Sequence, residues 1–220
     1  TCYDLFTGKL IWAHADKAHF SQWQGGDGPR ATPTVHEGRV YAYGATGLLN
    51  CVDAATGKAI WQHSVLAENK SDNIEWGVSC SPLIVDDKVI VSGGNTEGPV
   101  LFAYLRETGA PVWKAGNDHA SYASPSLATL AGKQMILSNN AGALTGHDPA
   151  TGKVILEHSW GVGKWPKASQ PVVIDQDRVF ISAGYGMGCQ LLQIKAGTEG
   201  RLVANEIWSG MKMKTQFNSP

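Results

Sequence analysis

An eleven-residue phrase recurs along this chain and limits what it can fold into more than any other feature. It reads CYDLFTGKLIW at Cys2–Trp12, CVDAATGKAIW at Cys51–Trp61, AYLRETGAPVW at Ala103–Trp113 and GHDPATGKVIL at Gly146–Leu156. A degraded fifth copy spans Gln193–Trp208. A proline preceded by Thr, Ser or Gln keeps pace with it, at Pro33, Pro82, Pro125, Pro171 and Pro220, at intervals of 49, 43, 46 and 49 residues. Self-similarity with a period of roughly 40–50 residues signals a repeat protein, whose units bury their faces only against neighbours.

Each period is written in strands. In the copy from Ala31 to His63, four short runs (Thr32–Val35, Arg39–Gly44, Leu48–Val52 and Lys58–Ser64) are rich in β-branched and aromatic residues and bounded by Gly, Asp or Asn. That is the grammar of a four-stranded antiparallel meander. No stretch carries sustained helical periodicity. The expected fold class is therefore all-β, a β-propeller of four-stranded antiparallel blades. Full blades are expected at about 31–64, 80–115, 123–159 and 169–208. An outer half blade precedes them at 1–14, and 218–220 opens a later one.

Within the phrase, Asp4, Asp53 and Asp148 stand at a fixed step before Thr-Gly, where a carboxylate can accept backbone N–H groups across a turn. Gly8, Gly57, Gly109 and Gly152 hold the position that needs a left-handed backbone. Trp12, Trp61 and Trp113 follow four residues later. A large ring at one register of each outer strand predicts packing of blade on blade. His14, His63 and His158 lie two residues further on, on the same strand face, and are expected to be structural.

The pattern Ala-x-Asp-x-x-Thr-Gly-Lys-x-x-Trp resembles the tryptophan-docking motif of the quinoprotein-type (PQQ-like) β-propellers, with Cys for Ala in the two best copies. The chain is similar to the outer-membrane assembly propeller lipoprotein (BamB-like) family and its uncharacterised bacterial relatives. The resemblance implies an eight-bladed ring, of which this chain would be an interior portion with apolar blade faces exposed at both ends. It departs from the pattern at Leu105, at Leu156 and in the last copy.

Composition adds exclusions. A net charge of −1 with both signs interspersed proposes no nucleic-acid surface. No apolar run approaches the roughly 18 residues of a membrane helix. The four cysteines show no CxxC or zinc spacing and are expected to be unpaired. Cys80 is expected on an innermost strand and Cys189 on a third strand.

Function should sit where loops joining an outer strand to the next inner strand converge, at Asp16–Ala31, Leu66–Cys80, Gly116–Ser124, Gly161–Ser169 and Met211–Ser219. Arg30, Trp76, Tyr122, Trp165, Lys167 and Gln216 are the candidate ligand- or partner-binding residues. No catalytic residue and no metal ligand is assigned. The resemblance implies a non-catalytic propeller of the bacterial cell envelope, in the periplasm, that binds a protein partner or small ligand. The alternatives are a PQQ-dependent quinoprotein alcohol or sugar dehydrogenase, in which PQQ and calcium would be the cofactors, and the sensor propeller of a larger receptor or kinase. Against the dehydrogenase stand the lack of adjacent cysteines and of carboxylates that align with a calcium or base position.

Overall fold

The computed structural model describes residues 1–95, 98–161 and 166–220. A hairpin of β1 (Cys2–Tyr3) and β2 (Leu10–Trp12) leads the chain, followed by a second small hairpin, β3 (Ser21–Gln22) with β4 (Gly26–Asp27). The first blade is β5 (Thr34–His36), β6 (Arg39–Tyr43), β7 (Leu48–Asp53) and β8 (Ala59–Ser64), capped by a single turn of helix, α1 (Val65–Glu68). The second is β9 (Leu83–Val85), β10 (Lys88–Ser92), β11 (Leu101–Leu105) and β12 (Pro111–Ala115). The third is β13 (Ser126–Leu130), β14 (Lys133–Asn139), β15 (Ala143–His147) and β16 (Val154–Ser159). The fourth is β17 (Val172–Val173), β18 (Arg178–Ala183), β19 (Gly188–Ala196) and β20 (Leu202–Gly210). Strands in each blade pair antiparallel with their sequence neighbours, so the architecture is all-β, a row of propeller blades.

Each phrase folds alike, down to its irregularity. The ladder between third and fourth strands shifts register between the first two residues of the phrase, at Cys2/Tyr3, Cys51/Val52, Ala103/Tyr104 and Gly146/His147. This bulge sets Cys2, Cys51, Ala103 and Gly146 directly opposite Trp12, Trp61, Trp113 and Leu156. A small residue there leaves the bulky partner room to lean toward the next blade. The turn itself is closed by Thr backbone and hydroxyl donors to the Oδ1 of Asp4, Asp53 and Asp148, at 2.7–2.8 Å. These hydrogen bonds, led by the Thr hydroxyl, hold all three carboxyls below the ordinary Asp range.

Each tryptophan reaches forward to the turn of the following unit. Trp12 Nε1 donates to Ala54 O at 2.9 Å, Trp61 to Arg106 O at 3.1 Å and Trp113 to Pro149 O at 3.2 Å. The rings lie on Gly57, Gly109 and Gly152. A Cβ on Gly57 would stand 2.6 Å from Trp12 Cδ2, and its φ of +70° excludes most side chains anyway. Gly8 makes the same turn with nothing over it among the described residues. Where Leu105 replaces the Asp, the turn keeps its backbone bond, Gly109 N–H to Leu105 O at 2.8 Å. Its Arg106 carbonyl gathers donors instead: Trp61 Nε1, Tyr41 Oη at 3.1 Å and Arg39 Nη1 at 3.0 Å.

The prolines mark a second seam. A residue before Pro is held extended, and its N–H finds a hydroxyl one blade ahead. Thr32 N–H donates to Ser81 Oγ at 3.1 Å, Ser81 N–H to Ser124 Oγ at 2.8 Å and Gln170 N–H to Ser219 Oγ at 3.1 Å. In the remaining interval Gln170 Nε2 donates to Ser124 O at 3.2 Å.

The core lies between blades. Tyr41, Leu49 and Cys51 of the first meet Val89, Phe102 and Tyr104 of the second, while Leu137 and Leu156 of the third meet Val179, Ile181 and Ile194 of the fourth. With both faces covered, central strands such as KVIVS and KQMILSN are buried almost throughout. Tyr3, Leu5, Phe6 and Leu10 at one end, and Ile207, Trp208 and Met213 at the other, are exposed. All four cysteines are free: Cys51, Cys80 and Cys189 are buried and Cys2 partly so. Cys80 sits ahead of β9 rather than on it, bonded through its sulfur to the backbone of Ser92. His63 stacks on Tyr104 of the second blade at 4.6 Å, and His158 meets Gln190 of the fourth at 2.9 Å.

Candidate functional site

The inter-blade loops are laced to one another, and the lacing builds a wall. Arg30 folds back on its own loop, donating to Gly28 O at 2.7 Å and Gly26 O at 3.0 Å, with its guanidinium 5.0 Å from the centre of the Phe20 ring. Trp76, carried on the loop after α1, donates through Nε1 to Gln24 Oε1 at 3.0 Å, across to the β3–β4 hairpin. Its backbone N–H donates to Tyr122 Oη at 3.3 Å, and the two rings stand 5.7 Å apart, tilted. Ser79 Oγ donates to Tyr122 O at 3.0 Å, and the amides of Tyr122 and Ala123 both donate to Lys167 O at 3.0 Å. Four successive loops thus form one continuous chain of contacts.

Behind them opens a cavity of about 820 Å³. It is lined by Thr32, Ser81 and Ser124, each just ahead of an inner strand, by Gln24, Arg30, Trp76 and Tyr122, and by Pro166, Ala168, Tyr185 and Phe217. Burial pushes the Tyr122 phenol up to about 12.

Of the residues singled out from sequence, Arg30, Trp76 and Tyr122 come together on this lining. Trp165 lies outside the described residues. Lys167 requires a correction: it does not present its charge to the cavity. The side chain is fully buried, and Nζ donates to Asn140 O at 2.9 Å, Ala141 O at 2.8 Å and Trp160 O at 2.5 Å, 5.0 Å from the Trp160 ring centre. Burial drives its pKa down to about 8, while three carbonyl acceptors favour the charged ammonium. Lys167 thus fixes the loop that supplies Pro166 and Ala168. Gln216 also stays off the lining: it is exposed, with its aliphatic carbons over Gly184, and the adjacent Phe217 faces the cavity instead. Sequence reasoning missed Gln24, Ser79, Tyr185 and Phe217. Ser81 and Ser124 were marked by their prolines, but only as strand starts.

Among the described residues, no three His, Cys, Asp or Glu side chains come together as metal ligands. No helix is long and apolar enough to cross a membrane.

No curated protein matches the chain. Solved structures do. BamB from Moraxella catarrhalis superposes with a TM-score of 0.66 at 16% identity, over 96% of this chain and 55% of its own. The quinohemoprotein alcohol dehydrogenase from Comamonas testosteroni follows at 0.64 and 16%, over 95% of this chain and 39% of its own. A computationally designed protein, Ika4, gives 0.52 at 15%, over 81% of this chain and 95% of its own. At such identities the likeness is one of fold, and the chain spans about half the length of the BamB structure. The family model for outer membrane protein assembly factor BamB matches residues 1–216, and with the repeated phrase, its forward-docked tryptophans and the four-stranded blades this places the chain in that family.

Proposed function

We propose that this chain belongs to a non-catalytic propeller scaffold of the bacterial cell envelope that captures a protein partner or ligand on its loop face. The observation that carries this reading is the cavity of about 820 Å³ ringed by Trp76, Tyr122, Arg30 and Phe217. Aromatic and Arg side chains are the usual anchors of binding surfaces, and loops on a rigid scaffold are where such anchors are placed. The opposite face offers tight turns such as His36-Glu37-Gly38 and Asp86-Asp87, where Glu37 and Asp86 take left-handed backbone angles. Envelope placement follows the family. A photo-crosslinking residue placed at Gln24 of the full-length protein in cells should yield an adduct that Trp76→Ala abolishes while the blades stay folded by circular dichroism. Adducts formed only from Asp86, on the opposite face, would move the site elsewhere.

The likeness to the alcohol dehydrogenase gives the second reading its support. The full-length protein, supplied with pyrroloquinoline quinone, calcium and a dye acceptor, is expected not to oxidise alcohols or sugars; turnover would replace the scaffold reading with an oxidoreductase one.

A further inference from the structure

The loop-face cavity has a chemical bias that a scaffold does not require. An indole N–H only donates, so the Gln24 group 3.0 Å from Trp76 Nε1 is the amide oxygen, and the Gln24 NH2 is left over. The Tyr122 hydroxyl oxygen is occupied by the Trp76 amide at 3.3 Å. Ser81 Oγ is occupied by the Thr32 amide at 3.1 Å and Ser124 Oγ by the Ser81 amide at 2.8 Å. Each of these hydroxyls has accepted one backbone N–H, which leaves it its own proton to give and a single further lone pair. Arg30 commits two of its five N–H groups to Gly28 and Gly26 and keeps the rest. Ser79 runs the other way, spending its proton on Tyr122 O.

Among the described lining residues Arg30 is the one cation, and no carboxylate appears. Glu75, exposed and off the lining, is close enough to add to the upward push that burial gives Tyr122. That phenol therefore stays a donor across the physiological range. Trp76, Tyr122 and Phe217 supply flat apolar faces beside these donors.

An excess of donors, one cation and aromatic walls complement an acceptor-rich anionic head on a flat apolar body. We propose that this cavity binds an aromatic monocarboxylate, its carboxylate at Arg30 and its ring against Trp76 and Tyr122. The assignment rests on the loop face being the binding face. Among the described lining residues, one cation matches one negative charge: a di- or tricarboxylate brings charge that none of them meets, and an amine finds no acceptor ion among them.

The test is calorimetric titration of the full-length protein with 2-naphthoate, 2-naphthamide and 2-naphthylmethylamine. Naphthoate should bind about tenfold more tightly than the amide, reflecting the greater strength of charge-assisted hydrogen bonds. The amine should not bind, and added salt should weaken only naphthoate. Arg30→Gln should erase the preference for the acid. Because Arg30 also pins the β3–β4 hairpin, Glu75→Gln is the companion: removing an exposed like charge should tighten naphthoate about twofold and leave the amide unchanged. Equal binding of acid and amide, preference for the amine, a Glu75→Gln variant with unaltered naphthoate affinity, or no binding of any of the three would overturn the assignment. The crosslink from Gln24 is read independently, so loss of this ligand class leaves the capture reading to its own result.

Discussion

Three of the junctions between successive units are closed by a tryptophan, and the junction between third and fourth blades is closed by a leucine. At Trp12, Trp61 and Trp113 one ring, one indole N–H and one glycine recur in the same geometry, and beneath Trp61 the sheet faces also pack through Tyr41, Leu49, Val89 and Phe102. At Leu156 the side chain is fully buried in a like apolar contact that takes in Val179, Ile181, Leu192 and Ile194, with no indole clasp above it. Polar links are spread along its edges: His158 to Gln190, Lys133 Nζ to Gly200 O, and the exposed pair Arg201 and Glu157. A tryptophan junction thus adds to the packed sheet faces a local clasp that tolerates change around it, as the turn at Leu105 demonstrates. A leucine junction has the packed faces without the clasp and depends on their fit.

The comparison can be broken most forcefully at Trp61. Trp61→Ala removes the ring from Gly109 and the donor from Arg106 O, and should cost about 3 kcal/mol of unfolding free energy. Trp23→Ala, at an 86% exposed loop tip, should stay within about 0.5 kcal/mol. Equal denaturation midpoints for the two variants would remove the clasp from the account. The next effect is smaller and has the opposite sense to a consensus argument. Leu156→Trp restores the motif residue yet should destabilise by about 1–3 kcal/mol, because Leu156 is already fully buried among the apolar side chains of both blades and a larger ring must displace them. A stabilised variant would show that the fourth junction is merely an unfilled clasp.

Acid should separate the clasps from one another, with the smallest effect. Asp53 and Asp148, held below their usual value of 3.8 chiefly by Thr56 and Thr151, support the turns that receive Trp12 and Trp113. A depressed carboxyl contributes stability above its unfolded pKa and loses it as pH falls through the folded one. The indole N–H resonances of Trp12 and Trp113 should therefore move below about pH 3.8, the unfolded-range value. That of Trp61 should move least, since its receiving turn has Leu105 in place of the carboxylate. Uniform movement of all three would assign the acid response to global loosening.

The blades, their turns and the Trp register were legible because a repeated chemical need leaves a repeated residue. A small residue faces a bulky one through the same bulge in four copies, and that repetition makes the pattern readable where one copy would not. The site was legible only in part. Arg30, Trp76 and Tyr122 belong to long polar loops and stand out by type, whereas Gln24 and Phe217 reach the cavity through loop paths that no period encodes. Lys167 was misread because its neighbours, Lys164, Trp165 and Pro166, look like a surface loop. The three acceptors that bury it are backbone carbonyls, which every residue possesses and no sequence advertises. Four-residue α1 and the two-residue strands β3 and β4 are too short for any periodicity to register.

Apart from the Gln170 side chain, which reaches back to Ser124, both seams point the same way along the chain. Trp12 waits for Ala54, Trp61 for Arg106, Thr32 for Ser81 and Ser81 for Ser124, each partner lying 42 to 49 residues downstream. As the polypeptide leaves the ribosome, a finished blade still holds an unclasped indole and an uncapped amide until its successor has been made. Synthesis is then a relay in which each unit is locked by the next, and a pause or truncation leaves a sticky last blade rather than a shorter stable protein.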